Sequence, residues 1–158
     1  MERADRICRH PLWRARLAAI AERERDRPFC RHGIAHLTDV ARLAWIENLE
    51  RGLGVPKALI YAAALVHDLG RAGPDGVPHE RAGLTPAREI LDGCGFTAAE
   101  RDAVLEAVSC HRNPETARRD GLAGLLYRAD KASRLCLFCP SEPGCNWAAE
   151  KKNLVFRG

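Results

Sequence analysis

No stretch of this sequence is apolar for long enough to cross a bilayer. The longest apolar run, Ala58–Val66, falls far short of the roughly 20 residues a spanning helix needs. The opening residues MERADRICRHPLW are charged and hold no signal-peptide core, so a cytoplasmic location without membrane partners is expected. Alternating strand patterns are almost absent, and no internal repeat or low-complexity linker divides the chain. Lysine is scarce, with 4 against 21 arginines, and the whole net charge of +4 falls within residues 1–31. The remaining residues balance, which argues against a nucleic-acid polymer as partner. What is present is an average globular composition, 46% hydrophobic over 158 residues, enough for one domain with a real core.

Helical periodicity dominates that composition. Leu12, Trp13, Leu17 and Ile20 mark an amphipathic helix over 11–26. A second helix follows Ile34, Leu37, Val40, Ala41, Ala44 and Trp45 and ends near Gly52–Gly54. Pro56 opens a third, whose body is apolar all round and must be buried; it stops at Gly70, before a loop over Arg71–Pro78. Thr85 and Pro86 read as the cap and first turn of a short helix ending at Gly93–Gly95. Thr97 with Glu100 forms a capping box ahead of Val104, Leu105 and Val108. A polar loop over Asn113–Asp120 leads to a last helix, Leu122–Lys131, and then to an irregular tail. The expectation is all-α: a compact helical bundle forming one domain over 1–158, with its core at about 29–131 and a Cys-rich tail over 136–158.

Several polar residues fall where this pattern is buried. His36 continues the stripe of Val40 and Ala44, and His67-Asp68 ends the helix that is apolar all round. His111 follows Val104 and Val108, while Asp130 follows Leu122 and Leu126 at four-residue steps. Each inward His or Asp carries a desolvation cost, which convergence on a cation offsets most simply. Imidazole with carboxylate suits a divalent transition metal, Fe, Mn, Zn, Ni or Co, better than Ca or Mg. His32 and His36 make a rival i, i+4 pair on one face. Gly33 places His32 in the loop or first turn, as a supporting group or a substrate contact.

His36, His67-Asp68 and Asp130, in that order on successive helices, resemble the H…HD…D signature of the HD superfamily of metal-dependent phosphohydrolases. The resemblance runs from about Phe29 to Lys131 and includes the settings His36-Leu-Thr-Asp-Val40, Ala64-Leu-Val-His67-Asp68-Leu-Gly70 and Tyr127-Arg-Ala-Asp130-Lys131. It implies that His36, His67, Asp68 and Asp130 hold one ion, and that His79 and His111 hold a second, bridged by Asp68. Pro78 and the preceding loop leave the position of His79 open. The implied activity is hydrolysis of a phosphomonoester or phosphodiester in a nucleotide or other small phosphorylated substrate. Catalysis would involve Asp68 as ligand or base, Arg71 on the phosphate, and Lys131 or Arg112 in a similar but weaker position. Some HD-fold proteins with the same six ligands are di-iron oxygenases, and a non-catalytic nucleotide- or metal-sensing module is a third reading. Oligomeric state is open.

Seven cysteines in a reducing compartment point to free thiols or metal ligands. Cys136, Cys139 and Cys145 form C-x2-C-x5-C, the start of a zinc site or iron–sulfur cluster that lacks a fourth ligand. Cys30, His32 or Cys110 would have to supply it; three plain thiols in a tail read the same way. Cys8 and Cys94 read as small, partly buried residues.

Overall fold

Because Lys57–Val66 (α4) is apolar on every side, it is surrounded. It lies between Glu2–Arg9 (α1), Ile34–Glu50 (α3), Ala98–Cys110 (α7) and Gly121–Ala132 (α8). The computed structural model describes residues 1–155 of the chain, and no strand occurs among them. Residues 156–158 of the expected tail lie outside the described residues. Ile60, Leu65 and Val66 are buried, each contributing about 1.5–3 kcal/mol. Ala62, Ala63 and Ala64 leave room for neighbouring helices to approach.

The last turn of α4 leaves carbonyls without helical partners. Trp13, on Pro11–Arg23 (α2), donates its buried indole N–H to Leu65 O at 2.8 Å. That bond fixes α2 across the end of α4, next to His67-Asp68. The capping box at Thr97 and Glu100 is formed, and Arg3 adds a bidentate pair to Glu100 at 2.6 and 2.9 Å.

Several boundaries differ from expectation: α2 ends at Arg23 rather than at 26, and α4 at Val66 rather than at Gly70. Residues 2–9 form a separate helix, α1, burying Ala4 and Ile7; His10 then caps α2, its Nδ1 accepting from Leu12 N–H at 3.3 Å. The loop after Gly70 contains a 3-10 turn, Leu69–Ala72, and a single helical turn, His79–Ala82 (α5). Leu84–Gly93 (α6) starts directly behind it, with Gly83 as its cap, so Thr85 lies inside the first turn rather than capping it.

Gly70 explains that stacking. A Cβ there would stand 1.9 Å from His79 O and 2.5 Å from Gly83 N. Only glycine lets α5 lie this close to the 3-10 turn. The tail beyond α8 has three short 3-10 turns, at Cys136–Phe138, Glu142–Gly144 and Ala149–Lys151, and no α-helix among its described residues.

Candidate metal centre

Five helices bring six side chains together. His36 comes from the first turn of α3, and His67-Asp68 follow α4. His79 opens α5, His111 caps the C-terminus of α7, and Asp130 lies in the last turn of α8. His67, Asp68, His111 and Asp130 are at most 3% exposed.

The two oxygens of Asp68 face different partners. Oδ2 lies 3.4 Å from His36 Nε2 and 3.2 Å from His67 Nε2. Oδ1 lies 3.2 Å from His79 Nε2 and 4.0 Å from His111 Nε2. Asp130 Oδ1 joins the first group, 3.4 Å from His36 and 3.8 Å from His67. Two sets of donor atoms, His36–His67–Asp68 and Asp68–His79–His111, are each gathered within 4.8 Å.

Three of the rings are aimed by their other nitrogen. His67 Nδ1–H donates to Ala64 O at 2.8 Å, and His111 Nδ1–H to Val108 O at 2.6 Å. A carbonyl can only accept, so in the neutral ring each Nε2 keeps its lone pair for the centre. Ser133 Oγ–H is spent on Asp130 O at 2.8 Å, so Oγ accepts from His36 Nδ1–H at 3.1 Å. The Nε2 of His36 is left in the same state.

The electrostatics demand positive charge. Burial alone would push both carboxyls up, yet the charge on His67 and the close imidazoles of His36 and His67 hold Asp68 and Asp130 well below the usual range. Burial disfavours charge on His67 too, but the two carboxylates lift its pKa to about 10. His111 moves the other way, to about 3, through burial and the neighbouring His67 charge. Both oxygens of Asp68 are buried without a well-formed hydrogen bond. A fully buried carboxylate so placed, ringed by imidazole nitrogens, is a donor set that suits a divalent metal ion.

Arg71 Nε stands 2.8 Å from Asp68 Oδ1, without the alignment of a hydrogen bond. Lys131 pairs with Asp130 Oδ2 and lies 5.2 Å over the Tyr127 ring. Arg112 is exposed and reaches Glu80 at 4.0 Å. Cys136, Cys139 and Cys145 line a separate recess of the surface.

His32 has the supporting place that the sequence suggests, but its partners Glu24 and Arg134 escape sequence reasoning. His32 is 1% exposed, and Glu24 accepts from both its backbone N–H and its Nδ1–H, at 2.7 and 2.6 Å. Its Nε2 accepts from Arg134 Nη2 at 3.3 Å, and the same nitrogen lies 3.5 Å from Asp130 Oδ1. His32 is therefore a supporting group. The i, i+4 spacing of Asp130 and Arg134 is a visible signal; Glu24, in a run of alternating charges, offers none.

The profile of the HD domain family matches residues 33–135. A protein of Clostridium beijerinckii described only as uncharacterized is 41% identical over 132 residues, covering 82% of each chain. No solved structure gives a significant match. With the H…HD…D residues brought to one centre from α3, the end of α4 and α8, and the family profile spanning most of the chain, the protein belongs to the HD domain family.

Proposed function

We propose that the protein is a metal-dependent phosphohydrolase acting on a phosphomonoester or phosphodiester of a nucleotide or other small phosphorylated compound. The division of the Asp68 oxygens between two histidine groups carries this reading. In it, His36, His67, Asp68 and Asp130 hold one divalent ion, and Asp68, His79 and His111 hold a second. When bound, such ions lower the pKa of water and neutralise charge on a phosphoryl group.

The chain's own residues supply the remainder. Arg71 is placed to receive the phosphate. Its side chain is 24% exposed, and its terminal guanidinium nitrogens make no hydrogen bond among the described residues. They are free to bridge two phosphate oxygens. Lys131 neutralises the outer oxygen of Asp130 and adds positive charge at the rim. A centre this enclosed suits a phosphate group at the end of a small molecule better than a polymer backbone. The Glu24–His32–Arg134 chain keeps Asp130 in place as substrate enters.

The test is to strip metal from the protein, reload it with Mn2+ under nitrogen, and screen phosphomonoesters and phosphodiesters, including nucleotides. Metal-dependent hydrolysis that disappears in Asp68→Asn and weakens in Arg71→Ala is expected. Consumption of dioxygen with phosphate esters left intact would identify an oxygenase instead. Tight nucleotide binding without turnover across metals would identify a sensing module.

A further inference from the structure

Four of the seven cysteines meet outside the His/Asp centre. Cys136 begins a 3-10 turn that Cys139 closes, its N–H donating to Cys136 O at 3.1 Å. Cys145 closes the next turn in the same way, donating to Glu142 O at 3.1 Å. These reversals set the three cysteines on one recess of about 250 Å3, mouth included, which Phe29 and Cys30 also line. The approach of Cys30 is built: Ser141 Oγ–H donates to Pro28 O, and Arg27 Nε–H to Cys30 O at 2.9 Å. The other suggested fourth ligands are engaged elsewhere. His32 is held between Glu24 and Arg134, and the Cys110 thiol donates to Glu106 O at 3.1 Å.

The tail has little else to organise it. Leu135, Leu137, Phe138 and Val155 are 49–68% exposed, so apolar burial does not hold this segment, whereas Cys136 is buried. Polar clamps do part of the work. Asn153 Nδ2 donates to Lys131 O and Arg134 O at 2.8 and 2.9 Å, and Lys152 Nζ to Glu142 Oε1 at 2.7 Å. Lys152 also lines the recess, where it offsets thiolate charge. Short irregular segments of this kind are commonly folded by a metal group whose binding free energy becomes folding free energy.

The spacing of the sulfurs selects the group. A tetrahedral zinc ion at about 2.3 Å from each sulfur needs sulfurs about 3.8 Å apart. Among the described residues no three cysteine sulfurs lie mutually within 4.8 Å. Four thiols more widely set around one recess match a cluster in which each thiolate binds its own iron. We propose that Cys30, Cys136, Cys139 and Cys145 hold a 4Fe–4S cluster, with Cys30 as the ligand that joins the tail to the body of the protein. The cluster would lie near the His/Asp centre, because Cys30 is two residues from His32 and His32 accepts from Arg134 beside Asp130.

The test uses the full chain purified anaerobically and reconstituted with ferrous iron and sulfide. Acid-labile sulfide is the decisive readout, since the His/Asp centre contributes none. About four sulfides per chain, a broad visible charge-transfer band and its bleaching by dithionite are expected. Cys30→Ser should lose the band and most of the sulfide while far-UV dichroism stays unchanged; Cys110→Ser should keep both. Absence of labile sulfide in the wild type, with or without one tightly held zinc, would overturn the assignment. So would full retention of the cluster in Cys30→Ser. The wild-type sulfide measurement stands even if a variant misfolds, and neither result depends on phosphatase activity.

Discussion

Gly70→Ala separates the two halves of the candidate metal centre without replacing a ligand. The new Cβ would stand 1.9 Å from His79 O and 2.8 Å from His79 C, where ordinary contact begins near 3.4 Å. Backbone cannot swing aside as a flexible side chain does, so the start of α5 must retreat by more than about 1 Å. Site geometry tolerates roughly 0.5 Å, so His79 leaves the Asp68 Oδ1 side of the centre. Asp68 Oδ2, His36, His67 and Asp130 sit on α3, α8 and the end of α4, and keep their arrangement. The strain is expected to cost about 1–3 kcal/mol, lowering Tm by roughly 3–10 °C. Affinity for the second ion should fall about 10–100-fold while the first ion stays bound. Calorimetric titration of metal-free protein with Mn2+, alongside thermal melts, reads both quantities. His79→Ala is the companion variant, which should lose the same ion with almost no change in Tm. Two ions bound with wild-type affinity in Gly70→Ala would refute the reasoning.

Other perturbations probe neighbouring claims. Asp68→Asn keeps the shape but removes the shared charge, so elemental analysis should find both ions lost from the His/Asp centre; one ion retained would show that Asp68 does not bridge. Ser133→Ala removes the acceptor for His36 Nδ1–H, and the first ion should bind about 10–100-fold more weakly in a chelator competition, with unfolding hardly changed. An unchanged affinity would mean that His36 needs no such support. At Glu100, hydrogen bonds from Arg3 and the Thr97 backbone lower the carboxyl pKa from 4.5 to about 2. This stabilisation is complete above pH 4.5 and is lost as pH falls toward 2. Glu100→Gln should therefore cost about 1 kcal/mol at pH 7, after allowance for solvent screening, and progressively less below pH 4 in urea titrations. A gap that stays constant with pH would assign the effect to packing.

The residues legible in the sequence are those whose burial follows from local pattern. A helix apolar on every side must end inside the protein, so His67 and Asp68 could be placed from Ala58–Val66 alone. Val104 and Val108 did the same for His111. Helix α1 was not legible, because five of its eight residues are charged and only Ala4 and Ile7 turn inward, too few to show a period. His79 was ambiguous for a different reason: its position depends on Gly70 meeting the chain at His79 and Gly83, a tertiary contact. Cys30 likewise meets Cys136 across more than a hundred residues of chain. Spacing motifs are silent about such encounters.

The HD match covers 33–135, yet the surroundings of Asp130 are completed from beyond both of its ends. Glu24 and His32 precede the matched segment and reach Asp130 through Arg134. Arg134 in turn lies 5.1 Å from the centre of the Trp147 ring, and Asn153 holds the end of α8 by donating to the carbonyls of Lys131 and Ala132 and to that of Arg134 just beyond it. On the opposite side, His79 and His111 come from α5 and α7, inside the match. All six candidate ligands thus come from the matched segment, and it is the bracing of Asp130 that draws on the N-terminal segment and the cysteine tail.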